Sequence, residues 1–323
     1  MSGISATVPD ALASYDPSMP QPPRLEPGRT ARPNAEPIPL DTIVRLEEDR
    51  LRCSIGEIAE VAEPWLGGIL AGGPPGTWIN AAIGGGLEEP TGSSREDETA
   101  VDRLIEFYRS RGVEPRIEIA PQVRPALLDA LANRAFVVRR FLSLFVRDLE
   151  SLPPAASVRL PEGVGFSIVD PNDEPSGRRW AEVSARNFAP ARAIRDAEIE
   201  LGLRIVRHPR CVAVQARASG AVVGGAAFEV GPGPEQSPLV ARHGRIAALF
   251  GAVVEPEWRR RGIQQALIER RLNLAVERGI RFVTISSHPG VATERTARRC
   301  GFELACTKVV LVRPEAGLLP VAE

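Results

Sequence analysis

The sequence predicts a mixed α/β (α+β) protein built from two related domains. Three observations support this prediction: the length of 323 residues, the alternation of helix-like and strand-like patterns, and the repetition of that alternation in both halves. A chain of this length suits two domains of about 150 residues each. Hydrophobic residues make up 43% and charged residues 25%, which is ordinary for a globular protein.

Composition and charge exclude several classes of protein. A net charge of -1 gives no bulk field that favours nucleic acid or an anionic membrane as partner. Lys308 is the only lysine, which excludes a Walker-type phosphate loop because that loop needs a lysine after its glycines. The four cysteines lack metal-ligand spacing, so we expect no metal. No long apolar run or signal-like N-terminus is present, and we expect a cytoplasmic protein.

The first half opens with residues 1–38, whose many prolines and missing apolar periodicity predict a disordered leader. Residues 39–150 then form the first predicted domain. Its clearest element is an amphipathic helix at 97–111, with Val101, Leu104 and Tyr108 on one stripe. The other predicted elements of this half are helices at 42–53, 55–70 and 124–133, and strands at 77–83, 116–120 and 136–148.

Residues 151–162 contain three prolines and predict a linker to a second domain at 163–315, followed by a tail at 316–323. Ser219-Gly220 separates two strand patterns and predicts a hairpin turn. A long apolar run at 245–254 is typical of a central strand buried on both faces. The remaining predicted elements are strands at 165–170, 212–217, 221–230 and 281–286, a strand pair across 302–313, and helices at 178–187, 195–206, 263–278 and 292–299.

An internal repeat relates the two halves. In each half a helix ends at a glycine, a strand, a proline and a second helix follow, and the last strand opens at Ala135-Phe136 or Gly301-Phe302. The offsets between these features are nearly constant, so the matched order predicts two copies of one unit.

The segment from 253 to 268 carries the clearest chemical signal. A buried strand ends at Val254, and a polar loop with the single glycine Gly262 leads directly into an amphipathic helix. The first N–H groups of a helix have no intrahelical partner and lie at the positive end of its dipole, so they can hold a phosphate. Arg259, Arg260 and Arg261 add positive potential. The same run of arginines, taken alone, is equally compatible with a surface turn.

In its context this segment resembles the phosphate loop of the GCN5-related N-acetyltransferase (GNAT) superfamily, (Gln/Arg)-x-x-Gly-x-(Gly/Ala) after a valine-rich strand. Arg259 and Gly262 fill the first two fixed positions, while Gln264 replaces the small third residue. The resemblance covers residues 160–315 and implies a GNAT-like domain in which a mixed, mostly antiparallel sheet flanked by helices splays at its central strands. Through the internal repeat, it implies two such domains in tandem.

The resemblance also implies a cosubstrate, acetyl-CoA, held in the V between the splayed strands. The residues expected to bind it are Val253, Val254, Arg259, Arg260, Arg261, Gly262, Ile263, Gln264 and Gln265. The first half lacks such a loop, because the corresponding segment at 87–94 contains Glu88 and Glu89, which would repel a pyrophosphate. We therefore interpret the first half as a degenerate copy.

The acid and base of the reaction are less evident. Family members commonly carry a tyrosine four residues before the Gly-Phe pair, where this chain has Ala297. His288 follows a predicted strand near the expected reaction centre and is suited to base chemistry, although a solvated loop histidine fits the same position. Thr296 is a candidate for positioning a water molecule.

The sequence thus predicts an N-acetyltransferase that transfers the acetyl group of acetyl-CoA to a primary amine, on a small molecule or a peptide, by direct attack. The alternative is a catalytically impaired acyl-CoA-binding regulatory or scaffold protein, which the missing tyrosine and Gln264 favour. The acceptor is not specified by the sequence, and either a monomer or a homodimer is compatible with it.

Overall fold

The computed structural model describes residues 38–87, 94–150, 160–188 and 193–320. The predicted leader lies outside the described residues except for Ile38, as does most of the predicted linker. The same holds for Glu88 and Glu89 of the first half and for the last three residues of the tail.

One mixed sheet of eleven strands runs through both halves of the chain, in the order β1-β2-β3-β4-β11-β5-β10-β9-β8-β7-β6. Neighbouring strands are antiparallel except for the parallel pairs β3–β4 and β9–β10. The mixed α/β class is therefore confirmed. The strands are β1 Val61–Trp65, β2 Gly68–Gly72, β3 Ala81–Ile83, β4 Arg116–Ile119, β5 Val137–Asp148, β6 Val164–Ile168, β7 Cys211–Ala218, β8 Ala221–Val230, β9 Ile246–Val254, β10 Phe282–Ser287 and β11 Glu303–Val312.

Helices cover both faces of the sheet. Helices α1, α4, α5 and α6 pack on one face, and α2, α3, α7 and α8 pack on the other. The predicted apolar stripe of α2 is confirmed, since Val101, Leu104 and Tyr108 are fully buried. The helices are α1 Leu40–Ile58, α2 Ser94–Arg109, α3 Pro125–Ala132, α4 Glu174–Phe188, α5 Asp196–Arg207, α6 Pro238–His243, α7 Ile263–Glu277 and α8 Ala292–Arg299.

The two halves are related by a two-fold pattern centred between β11 and β5. Strands β4 and β3 of the first half take the places that β10 and β9 take in the second, and both pairs are parallel. The equivalent residues Ala135 and Gly301 share a left-handed conformation, with φ of 59° and 78°, just before Phe136 and Phe302. These matches support the internal repeat found in the sequence.

The final strand of each half pairs with the other half. Strand β5 lies beside β10 of the second half, and β11 lies beside β4 of the first half. Strands β5 and β11 also pair with each other over most of their length. The predicted domains at 39–150 and 163–315 thus share one continuous sheet.

The predicted helix at 55–70 is wrong beyond Ile58, where β1 and β2 form a hairpin instead. Its turn is Leu66-Gly67, with φ of 47° and 80°, and such paired left-handed residues match the twist of a tight hairpin. The turn at Ser219-Gly220 has nearly the same angles, 47° and 83°, and confirms the other predicted hairpin.

Two strand predictions also need correction. The strand expected at 77–83 begins only at Ala81, because the Asn80 side chain bonds to Pro74 and Thr77 and holds the preceding residues in a turn. The strand pair expected across 302–313 is one strand, β11, with irregular register near Cys306 and Leu311.

Candidate functional site

The sheet opens between β9 and β10. Their parallel pairing covers only Ile246 to Ala248 of β9 and Phe282 to Thr284 of β10. Beyond these residues β9 continues to Val254 and β10 to Ser287 without pairing to each other. The central strands of the second half therefore separate into a V.

A bulge in β9 lies where the strands separate. Ala227 of β8 is opposite Phe250 and Gly225 is opposite Val253, so β9 has one residue more than β8 in this interval. Gly251 supplies the left-handed conformation, with φ of 64°. An extra residue of this kind bends the strand that carries it, which accounts for the divergence of β9 from β10.

Arg271 of α7 forms hydrogen bonds with the main chain on both sides of the bulge. Its side chain is almost fully buried, and its guanidinium donates to the main-chain carbonyls of Ala227 at 2.8 Å and Phe250 at 3.2 Å. Burial lowers the pKa of this guanidinium to about 9. These hydrogen bonds stabilise the main chain of both strands at the bulge.

The end of β9 presents main-chain groups to the gap. The N–H of Glu255 bonds to the carbonyl of Val223 in β8. Because successive residues of a strand point their main-chain groups in opposite directions, those of Val254 point away from β8. Val253 and Val254 are both buried, so any group bound beside them would be shielded from water.

The loop after β9 leads to the start of α7 at Ile263. Arg260 and Gly262 adopt left-handed conformations with φ of 61° and 79°, and no side chain caps the helix. The first N–H groups of α7 have no intrahelical acceptor, so Ile263, Gln264 and Gln265 carry main-chain donors at the positive end of the helix. This local structure has the features of a phosphate site.

The three arginines of the loop have different surroundings. Arg259 donates through Nε to the carbonyl of Val254 at 2.9 Å and through Nη2 to Asn187 at 3.0 Å. Arg261 stacks over the Trp258 ring at 4.9 Å, and Arg260 is exposed. Arg259 therefore ties the loop to the strand end, while Arg260 and Arg261 add positive potential at its surface.

The two glutamines after Gly262 bond within the protein. Gln264 donates to the hydroxyl of Thr293 at 3.2 Å and so connects the start of α7 to the start of α8. Gln265 donates to Glu269 one turn further along α7. Because both side chains already form hydrogen bonds within the protein, the main-chain N–H groups of Gln264 and Gln265 are the donors that a ligand can use.

The two predicted catalytic side chains have different surroundings. His288 is exposed, just after β10. Thr296 is buried in α8, where its hydroxyl donates to the carbonyl of Ala292 at 3.0 Å. Tyr108 lies in the core of the first half with its hydroxyl on the carbonyl of Ala71, far along the sheet from the V. The catalytic roles of His288 and Thr296 stay predictions.

A cavity of about 260 Å³ lies on the α1 face of the sheet, at the point where β9 and β10 separate. Ala248 and Phe250 of β9 and Thr284 and Ser286 of β10 line it beside the gap. It is also lined by residues of α1, β4 and β5 from the first half and of β11 from the second half. Both halves of the chain therefore build this cavity.

Charged side chains surround the cavity. Arg50 of α1 forms a bidentate ion pair with Glu47 and a second ion pair with Glu229 of β8 at 2.8 Å. Glu47 also accepts a hydrogen bond from Thr284 at 2.9 Å. Lys308 of β11 lies 2.7 Å from Glu48 of α1 and 3.5 Å from Glu118 of β4. The cavity is thus walled by buried ion pairs.

Burial raises the pKa of Glu229 to about 7, even though Arg50 and Arg210 lower it. The side chain is almost fully buried and also accepts a hydrogen bond from the hydroxyl of Ser54. A carboxyl group that titrates near neutral pH beside the V is a candidate proton acceptor.

These residues are not among the sites predicted from the sequence. Glu47, Glu48 and Arg50 alternate with Ile43, Val44 and Leu46 on a helix whose apolar residues are buried. Charged residues within the buried part of a helix are a recognisable signal, because they need partners elsewhere in the chain. Those partners lie in β8 and β11, which the sequence could not place beside α1.

Comparison with known proteins identifies the architecture. Residues 177–302 match the model of the Acetyltransferase (GNAT) family. A GCN5-related N-acetyltransferase from Kribbella flavida superimposes with a TM-score of 0.61 at 14% identity, over 87% of this chain and 98% of that chain. A tandem GNAT protein from the clavulanic acid biosynthesis pathway gives a TM-score of 0.56 at 14% identity, over 88% and 91%. No curated protein sequence matches.

Fold and strand separation define a GNAT-type fold with two copies of the unit in one chain. The second half matches the GNAT family model over residues 177–302, and the chain as a whole has a fold similar to that of the tandem GNAT protein. The family match supports acyl transfer as the general activity.

Two kinds of feature are absent from the part of the chain that the structure describes. Among the described residues, no helix is both long and apolar enough to cross a membrane. Within the same ranges, no group of three or more histidine, cysteine, aspartate or glutamate side chains is arranged to hold a metal ion.

Proposed function

We propose that the protein is an N-acetyltransferase that uses acetyl-CoA and a primary amine. The observation that supports this most directly is the separation of β9 from β10 immediately before the uncapped start of α7 at Ile263. The cleft between the two strands can hold the acyl end of a long molecule. The main-chain donors at the outer end of the cleft can bind its pyrophosphate.

In this proposal each part of the site has one role. The main-chain N–H groups of Gly262 to Gln265 hold the pyrophosphate, and Gly262 leaves room for its close approach. Arg260 and Arg261 attract the phosphates from solvent. Val253 and Val254 contact the arm that carries the acetyl group. Acetyl-CoA supplies a thioester carbonyl that a neutral amine can attack.

The reaction needs stabilisation of the negative charge that develops on the carbonyl oxygen. Main-chain groups of Val254 point into the gap, so its N–H is the donor best placed for this task. The amine nitrogen forms the new bond to carbon and loses one proton, the carbon–sulfur bond breaks, and the leaving thiolate takes up a proton. The two valines exclude water from this step because both are buried.

The alternative is an acyl-CoA-binding protein without turnover. Ala297 occupies the place where related enzymes commonly carry a tyrosine, and it is fully buried, so this position offers no proton donor. Neighbouring Thr296 bonds within its own helix. A water molecule or the solvent would then have to protonate the leaving thiolate.

Turnover separates the two functions. The protein is incubated with acetyl-CoA and a panel of primary amines, and we expect free thiol to appear together with an equal amount of acetylated amine detected by mass spectrometry. The variant Gly262→Trp should lose this activity, whereas Gly279→Trp, at the other end of α7 with a similar φ of 63°, should keep it. Cofactor binding without any acetylated amine would favour the binding protein.

A further inference from the structure

The size of the cavity beside β9 and β10 restricts what can enter it. Its volume of about 260 Å³ lies between the volume of about 150 Å³ that holds one benzene molecule and the range of about 300–1,000 Å³ typical of drug-sized ligands. Trp78 and Ser286 line the cavity and are exposed, so it is reached from solvent. These dimensions suit a small molecule of about ten non-hydrogen atoms or fewer.

The charged side chains beside the strand separation bond to one another. Arg50 of α1 donates to Glu47 at 2.6 Å and to Glu229 at 2.8 Å, and Thr284 of β10 donates to Glu47 at 2.9 Å. Arg210 lies 3.7 Å from Glu229 and forms a further ion pair with it. Because these groups have partners within the protein, they do not require a charged ligand.

The charged side chains of β4 and β11 are paired in the same way. Lys308 lies 2.7 Å from Glu48 and 3.5 Å from Glu118, and Arg116 lies 2.5 Å from Glu118. With Glu229 ionised and Glu48 included, the charges around the cavity balance: the four cations are Arg50, Arg116, Arg140 and Lys308, and the four carboxylates are Glu47, Glu48, Glu118 and Glu229.

An apolar strip of the lining runs from the bulge in β9 to α1. Phe250, at the bulge, packs in one hydrophobic cluster with Ile58 of α1 and Ile205 of α5. Ile58 also packs with Leu51 and Ile55, which lie one helical turn apart on the same face of α1. A molecule bound beside the strand separation can therefore contact hydrocarbon side chains along this whole path.

Helix α1, which carries most of the apolar strip, is attached to the sheet at three places. It forms ion pairs with Glu229 of β8 and Lys308 of β11, and it accepts a hydrogen bond from Thr284 of β10. All three of these partners are buried. The apolar strip therefore belongs to a preformed wall of the cavity, as is usual for sites that bind small molecules.

We propose that the acceptor is a small primary amine with an apolar body, which lies along the apolar strip with its amino group at the gap between β9 and β10. This inference rests on the proposed function, and it assigns the substrate class of the same site. Contact with Leu51, Ile55 and Phe250 removes the hydrocarbon surface of such a body from water. A hydroxyl or carboxylate group at the same place would lose its hydration without gaining a partner on the strip.

The test compares linear alkylamines with amino alcohols that have the same number of non-hydrogen atoms, from propylamine and ethanolamine to hexylamine and 5-aminopentanol. One methylene group in an apolar pocket changes kcat/KM by about tenfold or more. We therefore expect kcat/KM to rise along the alkylamine series, and hexylamine to exceed 5-aminopentanol by at least about tenfold. Equal kcat/KM values for every matched pair would overturn the proposal.

A substitution in α1 locates the apolar body. Leu51→Asn places a polar side chain of similar size on the apolar strip, so we expect the ratio of kcat/KM for hexylamine to that for 5-aminopentanol to fall by about fivefold or more. Leu40→Asn is the matched control, because Leu40 is the exposed first residue of the same helix and lies outside the cavity lining.

The ratio does not depend on how much of the protein is folded, because both amines are acetylated by the same active fraction. A loss of stability in Leu51→Asn would therefore lower both rates and leave the ratio as it is in the wild type. A ratio equal to that of the wild type and of Leu40→Asn would contradict the place assigned to the apolar body.

Binding separates the substrate class from the proposed function. The same amines and amino alcohols are titrated calorimetrically into the protein saturated with CoA. If acetyl-CoA binds but no amine is acetylated, the proposed function fails, and tighter binding of hexylamine than of 5-aminopentanol would still support an apolar site in the cavity. If both series are acetylated equally well, the substrate class fails and the acetyltransferase function stands.

Discussion

At the scale of single residues, the protonation state of Glu229 makes the charge of the cavity depend on pH. Arg50 and Ser54 of α1 contact it directly, while Arg210 and Glu47 lie nearby. Burial disfavours the charged carboxylate more than these cations favour it, so the folded pKa rises from 4.5 to about 7. The folded protein therefore holds this proton at a pH where the unfolded chain has lost it.

The sign of the pH effect follows from linkage. Protonation of Glu229 stabilises the fold fully below its unfolded pKa, and this contribution is lost as the pH rises through the folded pKa of about 7. Glu229→Gln keeps a neutral group, so its stability relative to the wild type should increase between about pH 5 and about pH 8. Urea unfolding at several pH values measures this difference.

A suitable control for this prediction is Glu294→Gln. The pKa of Glu294 is lowered by its hydrogen bond from the Gly290 N–H, so this carboxyl is already ionised throughout that window. Its stability difference from the wild type should stay constant. A constant difference for Glu229→Gln as well would contradict the assigned pKa.

Single residues also show what the sequence could and could not reveal. Gly262 was identified from its place between a strand and a helix, and it has the left-handed conformation that favours glycine. Arg259 was expected to bind the cofactor, but its Nε and Nη2 donors are directed to Val254 and Asn187. Asn187 lies far away in sequence, so no local pattern could show this contact.

At the scale of elements, the bulge in β9 and helix α7 form one unit. The bulge breaks the regular ladder between β8 and β9, and Arg271 supplies donors to the carbonyls of Ala227 and Phe250 beside it. A third hydrogen bond joins Arg271 to the carbonyl of Leu267 in its own helix. The V of the site depends on this unit, because the bulge turns β9 away from β10.

Arg271→Met should destabilise the protein. The carbonyls of Ala227 and Phe250 would lose a buried donor, which lowers the free energy of unfolding by about 1–3 kcal/mol for each carbonyl. Removal of the buried charge of Arg271 offsets part of this loss. We expect a net decrease of about 2 kcal/mol in the free energy of unfolding, measured with urea.

Arg270→Met is the matched control for this change. Arg270 is the preceding residue of α7, is partly exposed and pairs with Glu277. Its replacement should change the free energy of unfolding by no more than about 0.5 kcal/mol. Equal unfolding midpoints for the two variants would show that Arg271 does not support the bulge.

Elements of the second half were predicted better than those of the first. Apolar strands with clear turn residues, such as β7, β8 and β9, lie within one residue or so of their predicted bounds. In the first half the hairpin at Leu66-Gly67 was missed, because its strands are short and follow a long helix directly. Local periodicity does not reveal where such a helix ends.

At the scale of the whole molecule, the exchange of final strands joins the two copies into one sheet. Strand β10 has β5 as its antiparallel neighbour, and β4 has β11. The sequence could not predict this exchange. Because both final strands follow the same repeated pattern, either one could satisfy the local pairing of either half.

The exchange makes each half depend on the other. Without β5, strand β10 would keep an unpaired edge, and without the first half, β11 would have no neighbours. We expect two fragments, divided within residues 151–159, to be insoluble when expressed separately and to associate when expressed together. Size-exclusion chromatography and thermal unfolding of the co-expressed pair measure the outcome. A soluble second half with cooperative unfolding would contradict this prediction.

We infer that the start of α7 holds the pyrophosphate of acetyl-CoA. Calorimetric titration of acetyl-CoA into the wild type, Gly262→Trp and Gly279→Trp tests this inference. We predict micromolar binding to the wild type and to Gly279→Trp, and at least about a hundredfold weaker binding to Gly262→Trp because the indole fills the approach to the main-chain donors. Equal affinity for all three proteins, or no binding to the wild type, would show that the start of α7 is not the pyrophosphate site.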